Sequence, residues 1–194
     1  MADSYLDIDD YINESINLRN VLLRDAEFKN NIRQAILLIK DCFKKNNKIL
    51  VAGNGGSAAD AQHFTAELVG RYKRERKAYP VIALTTDTSI LTAWSNDYDF
   101  NTVFRRQIEA LGAPNDIFLG ISTSGNSKNV IEGVKKAKLK GLQTICLLGR
   151  DGGAVKNEAD ISIIVPSDNT PRIQEVHIMV LHMICEEVEK ALES

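Results

Sequence analysis

The sequence predicts an α/β fold, a doubly wound parallel sheet of five strands flanked by helices, on three observations. Five short apolar runs recur along the chain, each is apolar at nearly consecutive positions, and segments with helical spacing lie between them. Consecutive apolar positions suit strands covered on both faces, whereas a strand with one wet face alternates. Alternating strands and helices form right-handed crossover units, and ligands then bind at the carboxyl ends of the strands.

Residues 8–46 come first and are helical by pattern, with Ile12, Ile16, Leu18, Val21 and Leu22, then Ile32, Ala35, Ile36, Leu37, Ile39 and Phe43. They read as two helices. Such a pair finds little to bury on a sheet already covered on both faces, so it is expected to pack against another subunit. Strand 48–53 (KILVAG) runs through a glycine turn into a helix from 57 to about 71. Strand 80–86 (PVIALTT) precedes helix 101–111, and strand 116–122 (DIFLGIS) precedes a helix from 126 to about 140 that Gly141 stops. Strands 143–149 and 161–166 follow, then a loop, PSDNTP, and a final helix over 172–192.

The 194 residues, 44% hydrophobic and 26% charged, suffice for one globular domain with a substantial core. A formal charge of −2 offers no field for a polyanion, so no nucleic-acid partner is expected. Cys42, Cys146 and Cys185 form no CxxC pair and sit among apolar neighbours, which reads as buried thiols in a reducing compartment. The acidic start MADSYLDIDD has no basic region followed by an apolar core, and no stretch approaches the roughly 20 apolar residues a bilayer needs. The chain is therefore expected to be soluble and cytoplasmic, with no membrane contact.

Two loops bear on chemistry. After strand 48–53, GNGGS supplies little Cβ obstruction before a helix whose first N–H groups lack intrahelical partners, a start that attracts phosphate. It is neither a Walker A loop nor GxGxxG, and a plain tight turn explains it equally well. The second loop, ISTSGNSKN, also joins a strand to a helix and offers the hydroxyls of Ser122, Thr123, Ser124 and Ser127. One cap needs one hydroxyl; four make a phosphate cradle.

His63 and Glu67 stand four apart on one helix face, as a metal-binding pair or as a solvated ion pair. In the last helix Gln174 and His182 stand eight apart, about 12 Å along the axis, and share a face only loosely. A single ion reaching both strains their side chains, and a site completed by two chains relieves that strain. His177 reads as a helix-packing or surface histidine. The basic run RYKRERK, 71–77, reads as a solvated helix end complementing the dipole, with Arg71 on a phosphate as the sharper alternative.

GNGGSAADAQHFTAELVGR, ALTTDTSILTAWSNDYDF, GISTSGNSKNV and PRIQEVHIMVLHMICEEVE together resemble the bacterial phosphoheptose isomerases of the sugar isomerase (SIS) fold, over residues from about 8 to 190. The resemblance implies an SIS-type five-stranded sheet in one domain, with 1–46 as a helical oligomerisation segment and 47–194 as the α/β core. It implies a homotetramer with active sites at subunit interfaces, one zinc per subunit, and conversion of sedoheptulose 7-phosphate to D-glycero-D-manno-heptose 7-phosphate for activated heptose. Carried over, the metal ligands match His63, Glu67, Gln174 and His182. The sugar-phosphate contacts match Asn54, Gly55, Gly56, Ser57, Glu67, Asn96, Asp97, Ser122, Thr123, Ser124, Ser127 and Gln174. Pro171 departs from the aspartate of some relatives. Isomerisation through an enediol needs a base, for which Glu67 is the candidate, and a partner acid, His182, with the metal polarising the carbonyl. A carboxylate on zinc is a weaker base, so Glu67 must shift its coordination or share the task. Asp97 is expected to orient substrate hydroxyls or His63. A relative on the same fold is a non-catalytic protein that binds the replication initiator, but it lacks the counterparts of Glu67 and His182. An isomerase of another sugar phosphate is the remaining alternative.

Overall fold

A computed structural model describes residues 7–192; residues 1–6 and 193–194, the outermost parts of the two expected segments, lie outside the described residues. The elements run α1 (Ile8–Arg24), α2 (Ala26–Lys44), β1 (Ile49–Gly53), α3 (Gly56–Val69), β2 (Val81–Ala83), α4 (Thr88–Asp97), α5 (Val103–Leu111), β3 (Ile117–Ser122), α6 (Lys128–Leu139), β4 (Gln143–Gly149), β5 (Ile161–Val165) and α7 (Thr170–Leu192). The five strands are parallel, in the order β2-β1-β3-β4-β5. This order reverses direction between β1 and β3, and a crevice for ligands opens at such a point.

The pleat explains the unbroken apolar runs. Ile49, Val51, Ile117, Leu119, Ile145 and Leu147 face a layer of α2, α3 and α7. Their neighbours Leu50, Ala52, Phe118, Cys146 and Leu148 face α5 and α6, with α4 partly packed beside them. Alternate side chains thus serve opposite layers, and both layers are dry. On the second face α6 comes unusually close to β3. A Cβ on Gly133 would lie 2.9 Å from Phe118 Cζ, and one on Gly120 would lie 2.9 Å from Val130 Cγ1. Replacing Gly133 with Val is expected to destabilise by about 1–3 kcal/mol through overpacking, read as a lower urea midpoint.

The expectation that the N-terminal pair buries little against the sheet is corrected for α2. α3 lies over β1 and β2, and α7 packs on β4 and reaches β5 only in part, which leaves much of β5 open on that face. α2 fills the space, burying Phe28, Ile32, Ala35, Ile39, Cys42 and Phe43. α1 is different: Leu22 alone is buried, while Ile8, Tyr11, Ile12, Ile16, Val21 and Leu23 stay exposed.

Four further differences are local. β2 is three residues where seven were expected, and α4 forms where the sequence predicts no element, capped by Asp87, which accepts from Ser89 and Ile90 N–H. Phe100–Thr102 forms a 3-10 turn, so α5 starts at Val103 rather than 101. α7 begins at Thr170, with Pro171 in its first turn, where a missing N–H costs nothing. All three cysteines are free and buried, as expected, and burial first of all pushes the Cys42 and Cys146 thiols up to about 12. Among the described residues no helix is long and apolar enough to cross a membrane.

Candidate active site

β1 and β3 are neighbours in register, Gly53 opposite Ile121, so the loops that leave their carboxyl ends stand side by side. The first loop turns sharply. Gly55 has φ 56°, and a Cβ on Gly53 would sit 2.7 Å from the Ser57 carbonyl oxygen. Only glycine satisfies both demands at low cost. The second loop turns at Gly125, φ 64°, packed against the Gly152 carbonyl. A reciprocal amide pair joins the two: Asn54 Nδ2 donates to Asn129 Oδ1 at 2.9 Å, and Asn129 Nδ2 donates back to Asn54 Oδ1 at 2.8 Å.

Both loops open into helices with exposed positive ends. Neither α3 nor α6 has a side-chain cap hydrogen bond, and neither carries an acidic residue in its first turn. Ser127 stands at the α6 cap position, but its hydroxyl lies 2.9 Å from Ser122 Oγ instead. Ser124 Oγ is 3.5 Å from the same Ser122 oxygen and accepts from Asn126 N–H. The three serine hydroxyls therefore cluster around Ser122 Oγ beside a helix start, donors without net charge at the positive end of a dipole. Half-buried Thr123 lies between them, its carbonyl against Gly149. Ser57 is buried under the first turn of α3.

Further along α3 a second cluster forms with α7. His63, Glu67 and His182 offer ligand atoms that all lie within 4.8 Å of one another. His63 Nε2 is 3.0 Å from His182 Nε2 and 3.2 Å from Glu67 Oε1. Burial, and then the adjacent His63, hold the His182 imidazole below its usual range, with Glu67 opposing. Two imidazole nitrogens and a carboxylate oxygen converging this tightly fit the donor preferences of zinc.

The remaining expected residues are not gathered at this cluster. Gln174 lies at the other end of α3, its amide packed against Gly56, where any Cβ would collide with it. Asn96 and Asp97 sit in the last turn of α4, exposed, with Asn96 donating to Asp97 at 2.9 Å and neither hydrogen-bonded to the loops or the cluster among the described residues.

Sequence reading missed three neighbours. Asn129 is the latch partner of Asn54, and Tyr72 stacks on His182, ring centroids 5.6 Å apart. Asp60, one turn before His63, has a buried Oδ2 without a hydrogen-bond partner among the described residues, and burial first of all raises its carboxyl to about 6, His63 opposing. A lone polar residue in an Ala-rich stretch gives no spacing signal, and only burial reveals it. The basic run needs correction too: Arg71 reaches Glu75 in solvent, but the Arg76 side chain is 2% exposed and paired with Glu189, 1% exposed. His177 is a packing histidine, fully buried, its Nε2 3.1 Å from the Leu148 carbonyl.

The SIS domain family model matches residues 10–149. A phosphoheptose isomerase of Citrifermentans bemidjiense is 57% identical over 167 residues, 86% of this chain and 87% of that protein. One from Helicobacter pylori is 50% identical over 185 residues, 94% and 96% of the two chains. Among solved structures, the phosphoheptose isomerase of Neisseria gonorrhoeae superposes with a TM-score of 0.89 at 43% identity, covering 95% of this chain and 97% of that one. That of Francisella tularensis gives 0.90 at 38%, covering 94% and 96%. Sequence likeness over nearly the whole length and a shared architecture agree, and the chain belongs to the phosphoheptose isomerases of the SIS domain family.

Proposed function

We propose that this enzyme converts D-sedoheptulose 7-phosphate to D-glycero-D-manno-heptose 7-phosphate, feeding nucleotide-activated heptose for surface polysaccharide. The observation that carries the reading is the placement of two unlike sites along α3: an anion-attracting turn at its start and, beyond it, the cluster that His63 and Glu67 form with His182 of α7. Gly56 and His63 are seven residues apart, about 10 Å of helix rise, a span suited to an open sugar chain with phosphate at one end and carbonyl at the other.

The Ser122, Thr123, Ser124 and Ser127 hydroxyls and the N–H groups of the Asn54–Ser57 turn hold the phosphate. Gln174, against that turn, holds the sugar chain, and Asn96 and Asp97 orient hydroxyls from a neighbouring protomer in a homotetramer built partly on the apolar face of α1. Glu67 removes the C1 proton, the C–H pair becomes the C1=C2 bond of the enediol, and the former carbonyl oxygen at C2 takes a proton from His182. In the second half O1 gives its proton to His182, which restores that residue, the O–H pair forms C1=O, and the C1=C2 pair takes at C2 the proton held by Glu67. Zinc held by His63, Glu67 and His182 would supply Lewis acidity at the carbonyl.

Purified protein incubated with sedoheptulose 7-phosphate is expected to form the aldose, to lose at least tenfold in rate with a chelator (about the scale expected for a lost electrostatic stabiliser), and to recover with zinc. A zinc-loaded, folded protein without turnover overturns the reading.

A further inference from the structure

Residues 71–77 form a strap that no step of the reaction uses, yet two sets of its anchors lie on the elements that carry the reacting groups, α7 and α3. Glu189 follows His182 by seven residues, so both lie on one face of α7. Its buried carboxylate accepts from the backbone N–H groups of Tyr72 at 2.8 Å, Lys73 at 2.9 Å and Arg74 at 3.2 Å, and from Arg76 Nε at 3.1 Å. Glu186, between them on the same face, takes Lys73 Nζ at 2.7 Å. The strap is thus tied along α7 at two levels, and this delivers the Tyr72 ring onto the His182 imidazole at an interplanar angle of 25°.

The other end of the strap returns to α3. Arg76 Nη2 donates to the Glu67 carbonyl at 2.6 Å, and Nη1 donates to the carbonyls of Leu68 at 2.8 Å and Gly70 at 2.9 Å. These are the carbonyls a helix leaves without intrahelical partners at its C-terminus. One guanidinium therefore caps the turn that carries Glu67 while its Nε pairs with the carboxylate on the helix that carries His182.

We infer that the 71–77 strap is a positioning device: Tyr72, held by Glu189, fixes the ring orientation of His182, and Arg76 fixes the α3 turn bearing Glu67, so that base and acid keep their mutual geometry. Tyr72 is a positioning residue, since it acts through His182. A ring that bears both on proton transfer and on metal donation is worth fixing, because losing such outer support costs roughly tenfold or more in activity or metal affinity. The inference rests on the reading of His182 given above.

The test uses the full chain with Tyr72→Ala and Tyr72→Phe, read by kcat, KM, thermal melting and titration of the metal-free protein with zinc. Tyr72→Ala is expected to lower kcat roughly tenfold and weaken zinc binding by a similar factor, with KM and melting temperature little changed. Tyr72→Phe keeps the stack and is expected to retain both. Should Tyr72→Ala not fold, Tyr72→Leu, which fills the space without an aromatic face, is judged by the same readings. Wild-type kcat and wild-type zinc affinity in the non-aromatic variant overturn the inference, and so does a Tyr72→Phe variant as impaired as alanine, which would move the role to the hydroxyl. If the parent protein itself shows no isomerisation, the functional reading falls, and the zinc titration alone decides the strap.

Discussion

Replacing Glu67 with Gln is expected to lower kcat by about 10²–10⁴-fold, the scale of a lost general base, in a protein that still folds. The amide is nearly isosteric with the carboxylate but cannot take the C1 proton. Fold is expected to survive because Glu67 is not in the core: its side chain is 22% exposed and its contact is the His63 ring at 3.2 Å. Steady-state rates on sedoheptulose 7-phosphate, set beside a thermal melt of the same preparation, make the measurement. Near-normal turnover by a folded Gln variant removes Glu67 from the role of base and leaves it at most a ligand.

Glu189→Ala is expected to be the most costly single change to stability outside the apolar core. It strands the Arg76 guanidinium, whose side chain is 2% exposed, and removes the acceptor for three backbone N–H groups. Breaking one half of a buried, hydrogen-bonded pair costs about 3–5 kcal/mol, which for a chain of this size lowers the melting temperature by roughly 6–20 °C. The pH dependence follows from the same contacts. Burial, the largest influence, pushes the Glu189 carboxyl up, but the N–H groups of Lys73 and Tyr72, Arg76 and the Arg74 N–H together outweigh it and hold the group below its ordinary 4.5. A carboxylate lowered in the folded state lends its stability above 4.5 and loses it as the pH falls through the folded value. The gap in melting temperature between parent and variant should therefore be full at neutral pH and narrow in acid. A constant gap down to pH 3 would show that Glu189 acts by packing rather than charge.

The parts legible in the sequence are those encoded by neighbouring residues. The strands announced themselves because Ile49 to Ala52 and Ile117 to Leu119 are apolar without interruption, and the glycine and serine loops because turn chemistry is local. His63 and Glu67 were legible as an i, i+4 pair, and His182 joined them by family resemblance. What failed was long-range. α2 was misplaced because no pattern within residues 26–44 says that β5 would otherwise lie bare. α4 was missed because its Leu91 and Trp94 are only partly buried, so the apolar periodicity is faint although the Asp87 cap is present. Arg76 and Glu189 stand 113 residues apart, and in sequence each is one more charged residue. Nothing local distinguishes a charge that meets its partner in the interior from one that meets water.

The Asn54–Asn129 amide pair has a consequence for what the enzyme can accept. Donor and acceptor are engaged on each side chain, so neither loop shifts without breaking two bonds or dragging the other along. The interval between the serine cluster and the histidines is then set by strand register and helix rise, both stiff, and not by adjustable side chains. On the proposed reading a molecule lying across that interval meets a fixed gauge, and a sugar phosphate one carbon shorter is expected to turn over more slowly because one end falls out of reach.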